Sequence, residues 1–388
     1  MKKIIIILCS FLAILLASFL YINNHEHGQN KQVTIQFASW GSESEIKILK
    51  PVLENFEKEN PDIKIDFLHI PQNYFQKIHL LIASNTAPDV IFINNQYLPV
   101  YANANCLEDL TPHNEDFHFD KFFEKSIQAM TYNGKIYAVP RDISTLVIFY
   151  NKDIFDKYGV RYPQKNWTYD EFLKTAQKLT HAPEIYGISF EEEPLFYLPY
   201  LMSFGLKNIP EYEDETTQKG LKIYADLRNK YHVAPLKTES ASATMAQMFL
   251  QQKLAMHLTG RWLVPKYRQD AAFRWDVAKF PQGSAGSITP IDVSGWAITK
   301  TSKHKKEALK LIQYLSSEKS SKIYAQSGLI VPARIEAANS DVFLDNNSPQ
   351  NAQVFIDSIA SSVPTPVSID YREKLDDLKK KTEYLFNK

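Results

Sequence analysis

The chain has 388 residues, which is more than one hydrophobic core usually serves, so we expect two domains. Its 44 Lys and Arg residues balance its 44 Asp and Glu residues. Because the chain has no excess of basic residues, neither nucleic acid nor an acidic membrane surface is an expected partner. The two cysteines, Cys9 and Cys106, form no zinc-type spacing with the histidines. We therefore predict no metal and no cofactor.

The N-terminal segment has the pattern of an export signal. Lys2 and Lys3 precede Ile4–Ile22, a run of nineteen residues without a charge. This length also suits a membrane-spanning helix. The positive start places the rest of the chain outside the cytoplasm, in the periplasm or at the cell surface. Two outcomes stay open: cleavage of the segment, or its retention as a tether to the inner membrane through residues 4–22.

The next part of the chain alternates between strands and helices. The predicted order is strand, helix, strand, helix, strand, over Val33–Phe37, a helix ending near Glu59, Ile63–Leu68, Tyr74–Ser84 and Val90–Ile93. This order predicts a parallel sheet covered by helices. Such sheets bind ligands beyond the carboxyl ends of their strands. The residues expected there are Ser39–Glu43 and Asn94–Gln96.

The stretch Pro140–Phe155 is predicted to be a hinge between two domains. Arg141 and Asp142 follow Pro140, and the apolar run Leu146–Tyr150 then predicts a buried strand. A polar segment that leads directly into a buried strand indicates that the chain leaves one domain for another. Asp142 is then either a cleft residue or half of a hinge salt bridge, with Arg141 as its candidate partner.

Later segments continue the mixture of strands and helices. Thr168 and Glu171 form the pattern of a capping box at a helix start. The predicted strands are Tyr186–Phe190, Leu254–Leu258, Trp275–Phe280 and Val293–Ile298. Glu191–Glu193 follows the first of these strands as a polar loop, either solvated or bordering a cleft.

The order of these segments resembles the extracellular solute-binding proteins of ABC importers, the family that includes maltodextrin-binding protein. The stretches that carry the resemblance are Phe37–Trp40, Ala87–Val90, Gly134–Pro140, Phe149–Phe155, Trp167–Phe172, Ala255–Trp262, Gly295–Lys300 and Ser316–Arg334. Each stretch is short, but their order and spacing extend over some 300 residues.

The resemblance implies an α/β fold of the periplasmic-binding-protein type II, with two α/β lobes around a ligand cleft and a multi-crossing hinge. On this basis residues 1–31 are a signal or membrane anchor with a spacer. Residues 32–142 and 293–328 form the first lobe, and residues 143–292 and 329–388 form the second lobe.

A sugar site needs flat aromatic surfaces for ring faces, and amides or carboxylates for hydroxyl groups. The candidate ligand-binding residues are Trp40, Gly41, Ser42, Glu43, Asp89, Asn94, Asn95, Asp142, Trp262 and Trp296. Structural alternatives exist for several of them: strand capping for Asp89, interdomain packing for Trp262 and core packing for Trp296.

The resemblance implies a binding protein that captures a small solute, a sugar or oligosaccharide, and delivers it to the transmembrane subunits of an ABC permease. We expect a monomer without enzymatic activity. One alternative is a glycerol-phosphate or polyol ligand, for which Arg141 and Arg261 are the candidate phosphate residues. Others are a membrane-anchored sensor and an exported glycoside hydrolase, which would need two facing carboxylates. The sequence contains no nucleophile elbow, zinc-protease motif or P-loop.

Overall fold

The computed structural model describes residues 32–240, 242–345 and 347–387. The predicted export segment, residues 4–22, lies outside this range, so its retention or cleavage stays a prediction. Of the helices in these three ranges, none is both long enough and apolar enough to cross a bilayer.

The described residues form twelve strands, seventeen α-helices and three short 3-10 helices at Thr111–His113, Phe119–Lys121 and Arg261–Leu263. The strands are β1 (Val33–Ser39), β2 (Ile63–His69), β3 (Val90–Asn94), β4 (Thr131–Tyr132), β5 (Lys135–Ile136), β6 (Val139–Ser144), β7 (Leu146–Asn151), β8 (Met256–Gly260), β9 (Trp275–Ala278), β10 (Pro290–Ile298), β11 (Val331–Pro332) and β12 (Val363–Pro364). The helices of the first half are α1 (Glu43–Glu59), α2 (Tyr74–Ala83), α3 (Leu98–Asn103), α4 (Asn114–Phe117), α5 (Glu124–Ala129), α6 (Lys152–Lys157), α7 (Tyr169–Leu179) and α8 (Pro194–Ser203). Those of the second half are α9 (Glu215–Asn229), α10 (Lys237–Ser240), α11 (Met245–Leu250), α12 (Val264–Asp270), α13 (Lys305–Leu315), α14 (Glu318–Gln326), α15 (Ile335–Ala338), α16 (Gln353–Ser361) and α17 (Tyr371–Phe386).

The larger sheet has the strand order β11-β6-β10-β3-β1-β2, with β12 attached to β10. β1 is parallel to β2 and to β3, which confirms the parallel arrangement predicted for the first part of the chain. β10 then pairs antiparallel with both β3 and β6. The carboxyl ends of β1 and β3 therefore lie at one edge, beside the amino half of β10.

The smaller sheet has the order β8-β7-β9, and β7 is antiparallel to both neighbours. The prediction of a strand at Tyr186–Phe190 is wrong. This segment makes only an isolated parallel bridge, between Tyr186 and Leu254. Gly187 packs closely against α7, since a Cβ at this position would come within 2.3 Å of the carbonyl oxygen of Ala176. The segment nevertheless runs beside β8 in the same direction.

The chain crosses between the sheets at several points. Thr145 alone separates β6 in the larger sheet from β7 in the smaller one. β10 and β12 run side by side at a second crossing, with Pro290 opposite Val363 and Ile291 opposite Pro364. β11 pairs with β6 in the larger sheet, whereas the boundary predicted after residue 328 assigns it to the second lobe.

The local sequence of helix α1 explains why it packs against the larger sheet. Its apolar residues recur every three or four positions, so Ile46, Leu49, Leu53 and Phe56 lie on one face and are buried. Asn60 caps the carboxyl end by donating from its backbone N–H to the carbonyl of Phe56. The helix is thereby fixed against the larger sheet, with its first turn next to the end of β1.

Candidate functional site

Trp40 lies directly beyond the carboxyl end of β1. Its side chain is 40% exposed, although its ring centroid is 6.1 Å from that of the buried Phe92. The neighbouring Gly41 is held in place by its carbonyl oxygen, which is 2.9 Å from His69 Nε2. A large aromatic surface is therefore presented at the edge where a parallel sheet binds ligands.

Ser42 and Glu43 start α1 and make local contacts. The Ser42 hydroxyl accepts from the Glu45 backbone N–H at 3.3 Å, and Glu45 Oε2 accepts from the Ser42 N–H at 3.0 Å. This is a capping box, which fixes the direction in which the chain enters the helix. Glu43 is on the surface and pairs with Lys47, Nζ to Oε1 at 3.0 Å.

Asn94 and Asn95 follow β3 and have different environments. Asn94 is half-buried, and its Oδ1 accepts from the Tyr97 N–H at 3.2 Å. Asn95 is buried, and its Oδ1 accepts from the Val293 N–H at 3.0 Å. Asn95 therefore joins β3 to the crossing strand β10, while Asn94 borders the same edge as Trp40.

Asp142 forms a buried ion pair with its neighbour in sequence, which is the structural alternative considered above. Its Oδ2 is 2.5 Å from Arg141 Nε. Arg141 Nη2 is also 3.3 Å from Glu45 Oε1. Burial alone would lower the pKa of Arg141, but the carboxylates of Asp142 and Glu45 raise it, so the guanidinium stays charged. The cluster connects the strand that leaves the larger sheet to the first turn of α1.

Trp296 and Asp89, both candidate ligand residues, are placed away from that edge. Trp296 is fully buried and packs edge-on against Phe37, with ring centroids 5.2 Å apart. Asp89 precedes β3 at the opposite end of the strand, about 15 Å from its carboxyl end at the usual rise per residue. Its carboxylate accepts from the Gln36 N–H at 2.9 Å and from the Ser302 hydroxyl at 2.6 Å. Both side chains thus have structural contacts in this conformation.

Trp262 lies beyond the carboxyl end of β8 and is half-buried. Its ring covers Gly260, where an added Cβ would come within 1.8 Å of an indole carbon. Only glycine leaves room for the ring at this distance. Because Gly260 pairs with Leu146, the first residue of β7, the ring lies next to the point where the chain enters the smaller sheet.

Arg261 points into the protein and not into the cleft. It is 3% exposed, and its guanidinium carbon is 3.9 Å from the ring centroid of Phe343. Burial lowers the pKa of Arg261 to about 9. Since Arg141 is also buried and already paired with two carboxylates, neither arginine is presented for a phosphate group. This weighs against the glycerol-phosphate alternative.

The crossing strands β6 and β10 carry a group of polar side chains, here called the polar floor. Asp142 pairs with Ser294, and Ser144 pairs with Asp292, so alternation along the strands puts these four side chains on one face. Glu45, in the helix turn that follows Trp40, is joined to this floor by Arg141. Trp262 follows β8, which pairs with β7, the strand that continues from β6.

The family model described as "Bacterial extracellular solute-binding protein" matches residues 33–322. The chain belongs to this family. A maltodextrin-binding protein of Bacillus subtilis strain 168 is 24% identical over 392 residues, covering 94% of this chain and 88% of the relative. A putative binding protein of Brucella abortus strain 2308 is 26% identical over 310 residues, covering 76% of this chain and 74% of the relative.

Solved structures of solute-binding proteins have the same fold. The ABC substrate-binding protein of Listeria monocytogenes in complex with cycloalternan gives a TM-score of 0.81 at 28% identity, covering 91% of this chain and 93% of that chain. Maltose-bound MalE3 of T. maritima gives a TM-score of 0.77 at 24% identity, covering 91% of this chain and 94% of that chain. The predicted family and the predicted type II fold, with two α/β lobes, are confirmed.

One carboxylate of this solute-binding protein was missed by the sequence analysis. Asp292 is half-buried on β10 and accepts from Thr365 Oγ1 at 2.8 Å and from Gln96 Nε2 at 3.1 Å. Burial raises the pKa of Asp292, against the effect of these donors. Its position next to the predicted lobe boundary at residue 293 was a usable signal, but its partners lie some 70 and 200 residues away in sequence.

Among the described residues, no three or more His, Cys, Asp or Glu side chains come close enough together to hold a metal ion.

Proposed function

We propose that this chain captures a saccharide between its two lobes and delivers it to the membrane permease of an ABC importer. The observation that carries the proposal is the pair of accessible tryptophans at the crossing region. Trp40 is 40% exposed at the edge of the larger sheet, and Trp262 is half-buried beside the entry to the smaller one. One indole ring from each sheet, together with the polar floor, suits a ligand with apolar ring faces and a rim of hydroxyl groups.

The relatives support the choice of a saccharide over other small solutes. The Listeria protein, 28% identical, holds cycloalternan, and the Bacillus relative is named for maltodextrin. The ligand contacts that we propose are Trp40, Asn94 and Trp262, with Asp142 shaping the floor through its ion pair. Gly41, Ser42 and Asn95 hold the surrounding loops, and Glu43 lies on the surface beside them.

The proposal describes binding and release without catalysis. A glycoside hydrolase needs two carboxylic side chains facing the scissile bond. Of the acidic side chains on the polar floor, Asp142 is paired with Arg141, and Asp292 accepts hydrogen bonds from Thr365 and Gln96. The two-lobe architecture instead suits closure around a ligand by hinge motion at the crossings. The protein would act as a monomer on the outer side of the membrane, with residues 4–22 as a signal or tether.

Intrinsic tryptophan fluorescence tests the proposal directly. The purified protein is titrated with maltose, maltotriose, cycloalternan and a galacto-oligosaccharide, with glycerol 3-phosphate as the competing ligand class. We expect a saturable response to at least one saccharide, no response to glycerol 3-phosphate, and no release of reducing sugar on prolonged incubation. If no saccharide changes the tryptophan fluorescence, saccharides are excluded as the ligand class.

A further inference from the structure

The loop after Phe190 contains three consecutive glutamates with different surroundings. Glu192 Oε1 is 3.1 Å from Arg228 Nη1 on α9, and Glu193 pairs with Lys379 on α17. Within the described part of the chain, Glu191 is the one glutamate of the three that has no lysine or arginine within 4.0 Å. Its Oε1 instead lies 3.8 Å from Nε2 of His257.

The imidazole of His257 is buried and held by Tyr267. It is 1% exposed, and its Nδ1 is 2.6 Å from the hydroxyl oxygen of Tyr267. Burial lowers the pKa of His257 and raises the pKa of Tyr267, so the pair consists of a neutral imidazole and a protonated phenol. When the phenol donates to Nδ1, the single imidazole proton is on Nε2, directed at Glu191.

The backbone of Glu191 is equally well fixed. Its N–H donates to the Tyr224 hydroxyl at 2.8 Å, and that hydroxyl in turn donates to the Glu191 carbonyl oxygen at 2.8 Å. The Tyr224 ring stacks on Phe190 with centroids 4.2 Å apart. The backbone that carries this carboxylate is thus fixed by buried groups, while the side chain itself is 31% exposed.

The segment places Glu191 at the edge of the smaller sheet that carries Trp262. Ser189 N–H donates to the Met256 carbonyl at 3.1 Å, and the Leu258 N–H donates to the Ser189 hydroxyl at 3.0 Å. The segment therefore runs alongside β8 in the same direction, so Glu191 reaches the edge where β8 ends at Gly260. A carboxylate without a salt bridge to a lysine or arginine therefore lies at the same end of the smaller sheet as Trp262.

We propose that Glu191 is a ligand contact of the second lobe, whose carboxylate accepts hydrogen bonds from saccharide hydroxyls, and that His257 and Tyr267 position it. A carboxylate offers two oxygens, which suits a pair of adjacent hydroxyl groups on one sugar ring. At 3.8 Å the contact with Nε2 is longer than a direct hydrogen bond, so the imidazole acts on the carboxylate by electrostatic attraction and leaves its acceptor sites for the ligand. The inference depends on the proposed saccharide function.

The test compares Glu191→Gln with Glu193→Gln, a matched change two residues away. Calorimetric titrations use maltose, maltotriose, cycloalternan and a galacto-oligosaccharide. For each saccharide that the wild type binds, we expect Glu191→Gln to raise Kd about tenfold or more, because a charge-assisted hydrogen bond is lost. Glu193→Gln should stay within about threefold of wild type on the same affinity scale. A Glu191→Gln affinity within that range would overturn the inference and leave the function intact. A wild type that binds no saccharide would reject both.

The positioning role is tested with a conservative and a disruptive change at His257. A glutamine amide nitrogen can take the place of Nε2 and keep a donor toward Glu191, whereas methionine keeps the bulk and removes the donor. We expect His257→Gln to retain most of the affinity and His257→Met to approach that of Glu191→Gln, with similar thermal unfolding for both. Equal losses in the two variants would reject the positioning role. Nitrogen-15 imidazole spectra of the wild type should show the Nε2–H tautomer, and the Nδ1–H tautomer would contradict it.

Discussion

Arg141 connects Glu45 in the first turn of α1 to Asp142 in β6. Its Nη2 is 3.3 Å from Glu45 Oε1, and its Nε is 2.5 Å from Asp142 Oδ2. Glu45 uses its other carboxylate oxygen to accept from the Ser42 N–H at 3.0 Å. The loop that presents Trp40 is therefore fixed to β6, the strand from which the chain leaves the larger sheet.

The first prediction concerns Glu45. Glu45→Ala removes both the capping-box acceptor and one partner of a buried guanidinium, and we expect it to lower the free energy of unfolding by about 1–3 kcal/mol. Glu43→Ala is the matched control, since its ion pair with Lys47 is on the surface, and it should cost no more than about 0.5 kcal/mol. Urea unfolding of the two variants checks this, and equal losses would contradict it.

The second prediction concerns Asp142. If Asp142 were only a cleft residue, Asp142→Ala would weaken ligand binding without destabilising the protein. With Asp142 paired to a buried Arg141, the same change leaves a guanidinium charge poorly compensated, and the expected loss of stability is about 3–5 kcal/mol. Denaturant unfolding gives the loss in stability, and calorimetry under folded conditions gives the affinity. An unchanged unfolding midpoint would show that Arg141 finds sufficient compensation in Glu45.

The third prediction compares alanine substitutions at two tryptophans that differ in burial. Trp40→Ala should abolish most of the fluorescence response to saccharide and lower stability by only about 1–2 kcal/mol, because the side chain is 40% exposed. Trp296→Ala should lower stability by roughly 3–5 kcal/mol, because it leaves a cavity in the core beside Phe37. Unfolding and titration of both variants check the contrast. A stability loss at Trp40 that equals the loss at Trp296 would contradict it.

The fourth prediction is a pH dependence caused by Asp292. Burial raises its folded-state pKa above the ordinary value of 3.8, so the unfolded chain ionises this group at a lower pH than the folded chain does. As the pH rises above 3.8, ionisation of Asp292 therefore lowers the free energy of unfolding. The stability advantage of wild type over Asp292→Asn should be larger at about pH 4 than at about pH 7.

Urea unfolding of both proteins at the two pH values checks the sign. The remaining carboxylates are common to both proteins, so their contributions cancel in the difference. An advantage that grows toward neutral pH would show that the donors Thr365, Asn95 and Gln96 outweigh desolvation at this carboxylate.

Much of the fold could be predicted because the first part of the chain carries strong local patterns. The spacing of Ile46, Leu49, Leu53 and Phe56 predicts α1, and the uninterrupted apolar run Val90–Ile93 predicts a buried strand. The Thr168–Glu171 capping box is also found as predicted. Such signals lie within a few residues of one another.

The candidate site was harder to predict because its geometry depends on distant partners. The face on which Trp296 lies is decided by its pairing with Phe92, some 200 residues earlier in the chain. Asp142 belongs to a cluster that includes Glu45, which is 96 residues from Arg141. Glu191 differs from Glu192 and Glu193 only through side chains that the fold brings to it. None of these contacts leaves a local pattern in the sequence.

A crystal structure of the protein with the saccharide that binds most tightly in the titrations is the most direct test of the proposed function. We predict the sugar between the lobes, with a ring face on Trp40 or Trp262 and a hydroxyl group on the Glu191 carboxylate. A saccharide bound on the outer surface, or a crossing region without sugar at saturating concentration, would contradict capture between the lobes.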